Sequence, residues 1–250
     1  MGLFVRDDDY NESVRMTGFN RYKQLLSFYA GHWFKLGFLS SISMIPLVAG
    51  IIYSIAISSL LVLIPLSLIG GAIMGPVLAT LVDSVMRGLR DDTNNRWDNF
   101  RKAFRQNFKC SLLPGAFLGF FIGLYSYILY IFLYTDSFVP TKGTLALLLF
   151  SVIILLIHEL LYWPQMVLFS QPLKQTIINS LLFTSKYLWR ILLIVIINLI
   201  FLGILISLAP YSLILLPFIG IWYPVFLSQF LLYDYLNEEL EIEKKFNNAL

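Results

Sequence analysis

Between Lys35 and Asp83 the chain carries no charged side chain: residues 36–82 hold no Asp, Glu, Lys or Arg over 47 positions. A helix needs about 20 predominantly apolar residues to cross a bilayer core. This stretch therefore has room for two crossings and a turn, but not for three. Further apolar runs follow, and hydrophobic residues make up 58% of the 250 against 13% charged. Soluble domains carry about 25% charged residues, so a single water-soluble core is excluded. The apolar runs are continuous rather than alternating, which also excludes repeating outer-membrane strands.

The expected fold is all-α, a polytopic membrane protein with six transmembrane helices at about 35–57, 67–89, 112–134, 144–168, 188–208 and 211–233. Pro46 is expected to kink the first of them. Residues 1–33 read as a cytoplasmic tail and an interfacial lead-in helix, with Arg21 and Lys23 among aromatics and with His32 and Trp33 marking the membrane surface. Residues 34–233 form the six-helix domain, and 234–250 a charged cytoplasmic tail. The segment SQPLKQTIINSLLFTSKY, between the fourth and fifth helices, is expected to lie along the surface. The first thirty residues are polar and mixed in charge, unlike a signal peptide. The single cysteine, Cys110, rules out an intramolecular disulfide and reads as a neutral packing residue.

Orientation follows from the basic residues. Of 18 Lys and Arg, Lys142 alone falls in a segment assigned to the far side. The rest lie in the N-terminal part, the 87–109 and 174–190 connections and the C-terminal tail. The positive-inside rule then places both termini in the cytoplasm of a cell membrane.

Residues 94–109 form the most distinctive passage. Trp97, Phe100, Phe104 and Phe108 recur at steps of three and four and share one helical face, with Arg96, Arg101, Lys102, Arg105 and Lys109 around the remainder. Two readings fit. One is a surface anchor on anionic headgroups, where each basic residue contributes roughly 1 kcal/mol. The other is a docking face for a cytoplasmic partner. Nucleic acid is disfavoured, because the face opposite the charges is too apolar for a solvated helix. Gly115, Gly119 and Gly123 share one face of the third helix and Gly71 with Gly75 one face of the second, as small residues do where helices approach closely.

The run GPVLATLVDSVMRGLRDD…RWDNFRKAFRQNFKCSLLPG resembles the signature region of the YesL-like family, integral membrane proteins of Gram-positive bacteria and a domain of unknown function. QPLKQTIINSLLFTSKYLWRILL resembles the same family's second cytoplasmic segment. The resemblance implies a small multi-helix membrane protein whose genes often accompany carbohydrate uptake and sensing systems. It implies no catalytic residue. The apolar passage between the first two helices is longer here than in the family.

Three polar features lie within the apolar helices. Asp83 and Arg87, four apart, read as a structural ion pair near the cytoplasmic end. His158 and Glu159 fall ten or more residues from either end of the fourth helix, where an ionised group costs roughly 2.5–3.5 kcal/mol. Glu159 is then protonated, paired, or facing a wet cavity, and either a structural hydrogen-bond site or a substrate or proton site accounts for it. Pro164 is expected to free a backbone carbonyl nearby. Asn198 reads as interhelical glue and a neighbour for Glu159.

No metal-ligand spacing, P-loop, nucleophile elbow or carboxylate pair is present, so neither an enzyme nor a cofactor is expected. Two classes remain. One is an accessory or regulatory membrane protein, bound to transporter subunits of a carbohydrate uptake or sensing system. The other is a small secondary transporter, alone or as a homodimer, with Glu159 in the pathway.

Overall fold

A computed structural model describes residues 15–91, 96–134, 140–169, 171–208, 211 and 215–247, apart from a few helix-end side chains that include Arg96 and Trp97. Among these residues the elements are all helical: α1 (Gly18–Ser43), α2 (Ile45–Ala56), α3 (Leu60–Leu89), α4 (Arg96–Tyr134), α5 (Lys142–Phe169), α6 (Leu173–Ser207), a π turn (Leu216–Gly220), α7 (Trp222–Leu240) and α8 (Ile242–Asn247). Among the described residues five stretches are long and apolar enough to cross a membrane: Gly18–Ala56, Leu60–Leu89, Asp98–Tyr134, Lys142–Phe169 and Leu173–Ser207. The chain is a helical protein compatible with several membrane crossings.

The helices are longer than the apolar runs inside them, because no breaker stands where the polarity changes. The expected lead-in helix and first apolar run are one helix through residue 33 and on to Ser43. The chain then bends at Met44. Pro46 lacks the N–H that would continue the ladder, and Ser40, Ser41 and Ser43 turn their hydroxyls back onto carbonyls of the preceding turn. The basic passage is likewise continuous with the third apolar run, since α4 extends unbroken from Arg96 to Tyr134. No Gly or Pro occurs between Arg96 and Leu113, so nothing there favours a break. Of the expected 94–109 helix, residues 94 and 95 lie outside the described residues. The segment expected along the surface is instead the first part of α6, which kinks at Tyr187 (φ −115°, ψ 25°). The kink is tied to α7, where Glu239 accepts hydrogen bonds from Lys186 and from the Tyr187 hydroxyl. The helix α7 passes position 233 without a break and ends at Leu240.

α3 and α4 run antiparallel in glycine contact. A Cβ at Gly71 would lie 2.7 Å from the Gly119 Cα, and one at Gly115 would lie 2.6 Å from the Gly75 Cα. Gly123 closes the row against Ser67. The buried row of α4 continues from these glycines at every fourth residue through Ser111 and Asn107 to Ala103. That continuity is why the basic end of α4 stays helical and stays on α3.

The largest core lies at the other flank, where α1, α3, α5 and α7 meet. Trp33, expected at the membrane surface, is fully buried there. Its ring centroid lies 4.6 Å from Phe226 and 5.4 Å from Tyr29. Gly88 makes the slot, because a Cβ at that position would sit 2.7 Å from the Trp33 ring. Arg21, expected at an interface, also turns inward. It is 6% exposed, donates to Gln24 and to the Leu89 carbonyl, and pairs with Asp91. Cys110 does the opposite and is exposed rather than packed.

These contacts gather both ends of the chain. Arg15 reaches Glu243 at 2.7 Å and Asp91 at 3.6 Å, and the Tyr233 hydroxyl lies on Glu243. Asp91 occupies the left-handed region (φ 63°) just past α3, where a short polar side chain is tolerated. One end of the bundle therefore holds the start of α1, the end of α3 and the start of α8.

Candidate functional site

The site is built on α5, around a carboxylate seventeen residues from one end of that helix and ten from the other. Glu159 Oε2 accepts a hydrogen bond from Trp163 Nε1, one turn along. Its Oε1 lies 3.4 Å from His158 Nδ1. The His158 ring in turn stacks on Tyr162 at 5.2 Å. Burial of a carboxylate is tolerated when its lone pairs are occupied, and the neighbours on α5 supply that occupation.

Two cavities meet at this residue. An outer chamber of about 530 Å³ lies between α4, α5 and the start of α6, walled by Phe117, Phe121, Tyr125, His158, Glu159 and Tyr162 among others. Phe117 and Ile154 on its rim are half-exposed, so the chamber opens sideways onto the apolar surface. An inner chamber, on the α3 side of Glu159 and likewise open to the surface, has about 390 Å³ between α3, α5, α6 and α7 and reaches Asn198, Ser228 and Gln229. Leu118 and Glu159 line both. The carboxylate is the polar part of the partition between them.

The polar groups of the inner chamber are anchored across helices. Asn198 donates to the Ser228 hydroxyl at 2.8 Å and to the Ile194 carbonyl. It faces the same chamber as Glu159 and bonds α7. Pro164 lacks an N–H, so the carbonyl four residues back, Leu160, has no helical donor from it. Gln229 of α7 donates to that carbonyl at 3.1 Å. Trp163, Ser228 and Gln229 were absent from the sequence expectation. Only Trp163 carried a local signal, its i+4 spacing from Glu159.

The other expected residues lie elsewhere. Arg87 Nε donates to Asp83 Oδ2 at 2.7 Å across one turn of α3. Phe100, Phe104 and Phe108 follow one another along α4, with adjacent ring centroids 6.1 and 5.5 Å apart. Arg101, Lys102, Arg105 and Lys109 are exposed. The side chains of Arg96 and Trp97 lie outside the described residues. Gly71, Gly75, Gly115, Gly119 and Gly123 lie in the α3–α4 seam. No group of three or more His, Cys, Asp or Glu that could hold a metal ion occurs among the described residues.

Compared with protein-family models, with curated proteins and with solved structures, the chain matches none.

Proposed function

We propose that the protein is a small carrier of the cell membrane that takes a positively charged, partly apolar solute against Glu159. The observation that carries this reading is the position of that carboxylate, which lines two chambers open to the surface, one on the α4 and α6 side of α5 and one on its α3 and α7 side. A carboxylate at mid-helix is costly while ionised, and an organic cation offsets that cost. The aromatic walls of the outer chamber suit the same ligand, since ring faces attract cations within about 6 Å.

The topology that serves this reading has six crossings with both termini cytoplasmic. The π turn and α7 supply the sixth. Phe218 stacks on Phe34 and Phe38, and Phe226 and Phe230 pack on Tyr22. This segment thus follows α1 antiparallel over about 24 Å, at 1.5 Å per residue. The basic residues of α4 and of the kinked part of α6 then share the cytoplasmic face, as the positive-inside rule requires.

The test uses tetraphenylphosphonium as the probe cation, with the purified full chain in nonionic detergent. Binding by equilibrium dialysis is expected to weaken at least about ten-fold in Glu159→Gln, the loss of one desolvated charge interaction. The variant should keep the elution volume of the parent. Equal binding by parent and variant rules the carrier reading out.

A second reading rests on α4. Its exposed cations continue the helix whose glycine face packs on α3, which suits a docking arm for a cytoplasmic partner. Under it the protein is an accessory subunit of a carbohydrate uptake or sensing system, in line with the YesL-like resemblance. Co-purification from native nanodiscs separates the two readings. A stoichiometric permease or ATPase partner favours the accessory role, and recovery of the chain alone removes it.

A further inference from the structure

The α3–α4 seam ends in a cavity separate from the chambers at Glu159. Toward the end of α3 the small residues give way to Asp83 and Arg87, and on α4 to Asn107. A polar cavity of about 450 Å³ opens there. Three described cations line it: Arg87 from α3, Arg90 just past its end, and Lys102 from α4. Gln106 and Asn107 add two amides, and Asp83 is the one acid on the wall among the described residues. The last turn of α5 closes the cavity with two apolar residues, Val167 and Leu168.

We propose that this cavity binds a phosphate-bearing anion. Counting the wall, three positive charges against one negative leave a net charge of +2, which suits a phosphate monoester dianion. Two guanidinium groups supply planar forks of N–H donors that match phosphate oxygens in pairs. Asp83 helps fix the site, because its hydrogen bond to Arg87 Nε orients that guanidinium. The size is within the range of about 300–1,000 Å³ typical of ligand pockets, larger than an inorganic ion needs and enough for a headgroup. The position agrees, since the cavity adjoins the point where the charge-free stretch of α3 ends. A basic pocket between helices at such a level is where anionic headgroups are held. The shared chemistry is the phosphate, and it comes either from a membrane lipid or from a soluble phosphorylated compound.

The cavity shares one residue, Lys102, with the exposed cations of α4. Arg101 and Arg105 are not on its wall, while Lys102 is. That difference supplies the control. The full chain is purified in nonionic detergent and its thermal midpoint is followed with two probes, inorganic phosphate and dioleoylphosphatidic acid. The parent and the Arg101→Gln/Arg105→Gln variant are expected to rise with the probe, and Arg90→Gln/Lys102→Gln is not. Lys102→Gln alone alters an exposed position that the fold does not depend on, and is expected to weaken the apparent affinity about five-fold. A rise with phosphatidic acid alone assigns the site to a headgroup. A rise with phosphate as well assigns it to the phosphate itself, open to soluble ligands. No rise in the parent, or an equal rise in Lys102→Gln and Arg90→Gln/Lys102→Gln, overturns the proposal.

Discussion

Along α3, the flank toward α4 is closed to backbone contact at Gly71 and Gly75, whereas the flank toward α5 and α7 stands off far enough to leave a 390 Å³ chamber. Between helices in lipid there is no water to expel, so association rests on close packing and a few hydrogen bonds. The α4 flank uses the first device. Small residues let two backbones touch over several turns, and every added carbon there is a collision. The α5–α7 flank uses the second. Gln229 to Leu160, Asn198 to Ser228 and Gln165 to Ser180 tie the helices at single points, each contributing on the order of 0.6 kcal/mol. The difference separates a pair in continuous backbone contact, α3 with α4, from helices that stand apart at the chamber.

Substitution size tests that contrast most severely. Gly115→Leu places a branched side chain against the Gly75 Cα, and is expected to cost about 3 kcal/mol or more or to prevent folding. Leu156→Phe adds a smaller volume beside the inner chamber, and should change stability by less than about 1 kcal/mol in either direction. Thermal midpoints by size-exclusion chromatography in detergent measure both. Equal damage from the two would mean that the chamber flank is packed as tightly as the seam.

A smaller effect sharpens the contrast at the end of α3, where charge rather than shape holds the chain. Burial, and after it the Glu243 carboxylate, push the Asp91 carboxyl up to about 7, even with Arg21 and Arg15 beside it. The folded junction then holds its proton more tightly than the unfolded chain, whose aspartate titrates near about 4. Stability contributed there is full at low pH and falls as pH rises from about 4 to about 7. Asp91→Asn is expected to flatten that slope in thermal midpoints measured between pH 5 and 8. A variant that keeps the parent's slope assigns the pH dependence to another group.

Much of the architecture was legible because it rests on counting. Charge-free length, continuous apolar runs and glycines at four-residue spacing each report one property of a single helix. Helix ends were less legible where polarity and backbone preference disagree. At the basic start of α4 and in the first part of α6 the side chains are polar, but nothing in the local sequence breaks a helix. The burial of Trp33 and Arg21 was not legible for a related reason. An aromatic or a cation beside an apolar run suits a membrane surface, unless a slot such as the one at Gly88 takes it inside.

At the candidate site, the local chemistry was available from α5 alone: a mid-helix carboxylate, a histidine beside it and a proline that frees a carbonyl. Its partners were not, because Gln229 and Ser228 lie about seventy residues away and no spacing rule connects them to Glu159. The phosphate cavity shows the same limit more sharply. Arg90 and Lys102 are twelve positions apart in sequence and face one space only because α3 and α4 fold back on each other. The amino-acid sequence by itself determined the all-helical, bilayer-suited character and the small-residue faces, since each depends on residues within one helix. Tertiary structure alone decided which faces meet, where the chambers lie and which charges share a cavity, because those depend on the separation of helices distant in the chain.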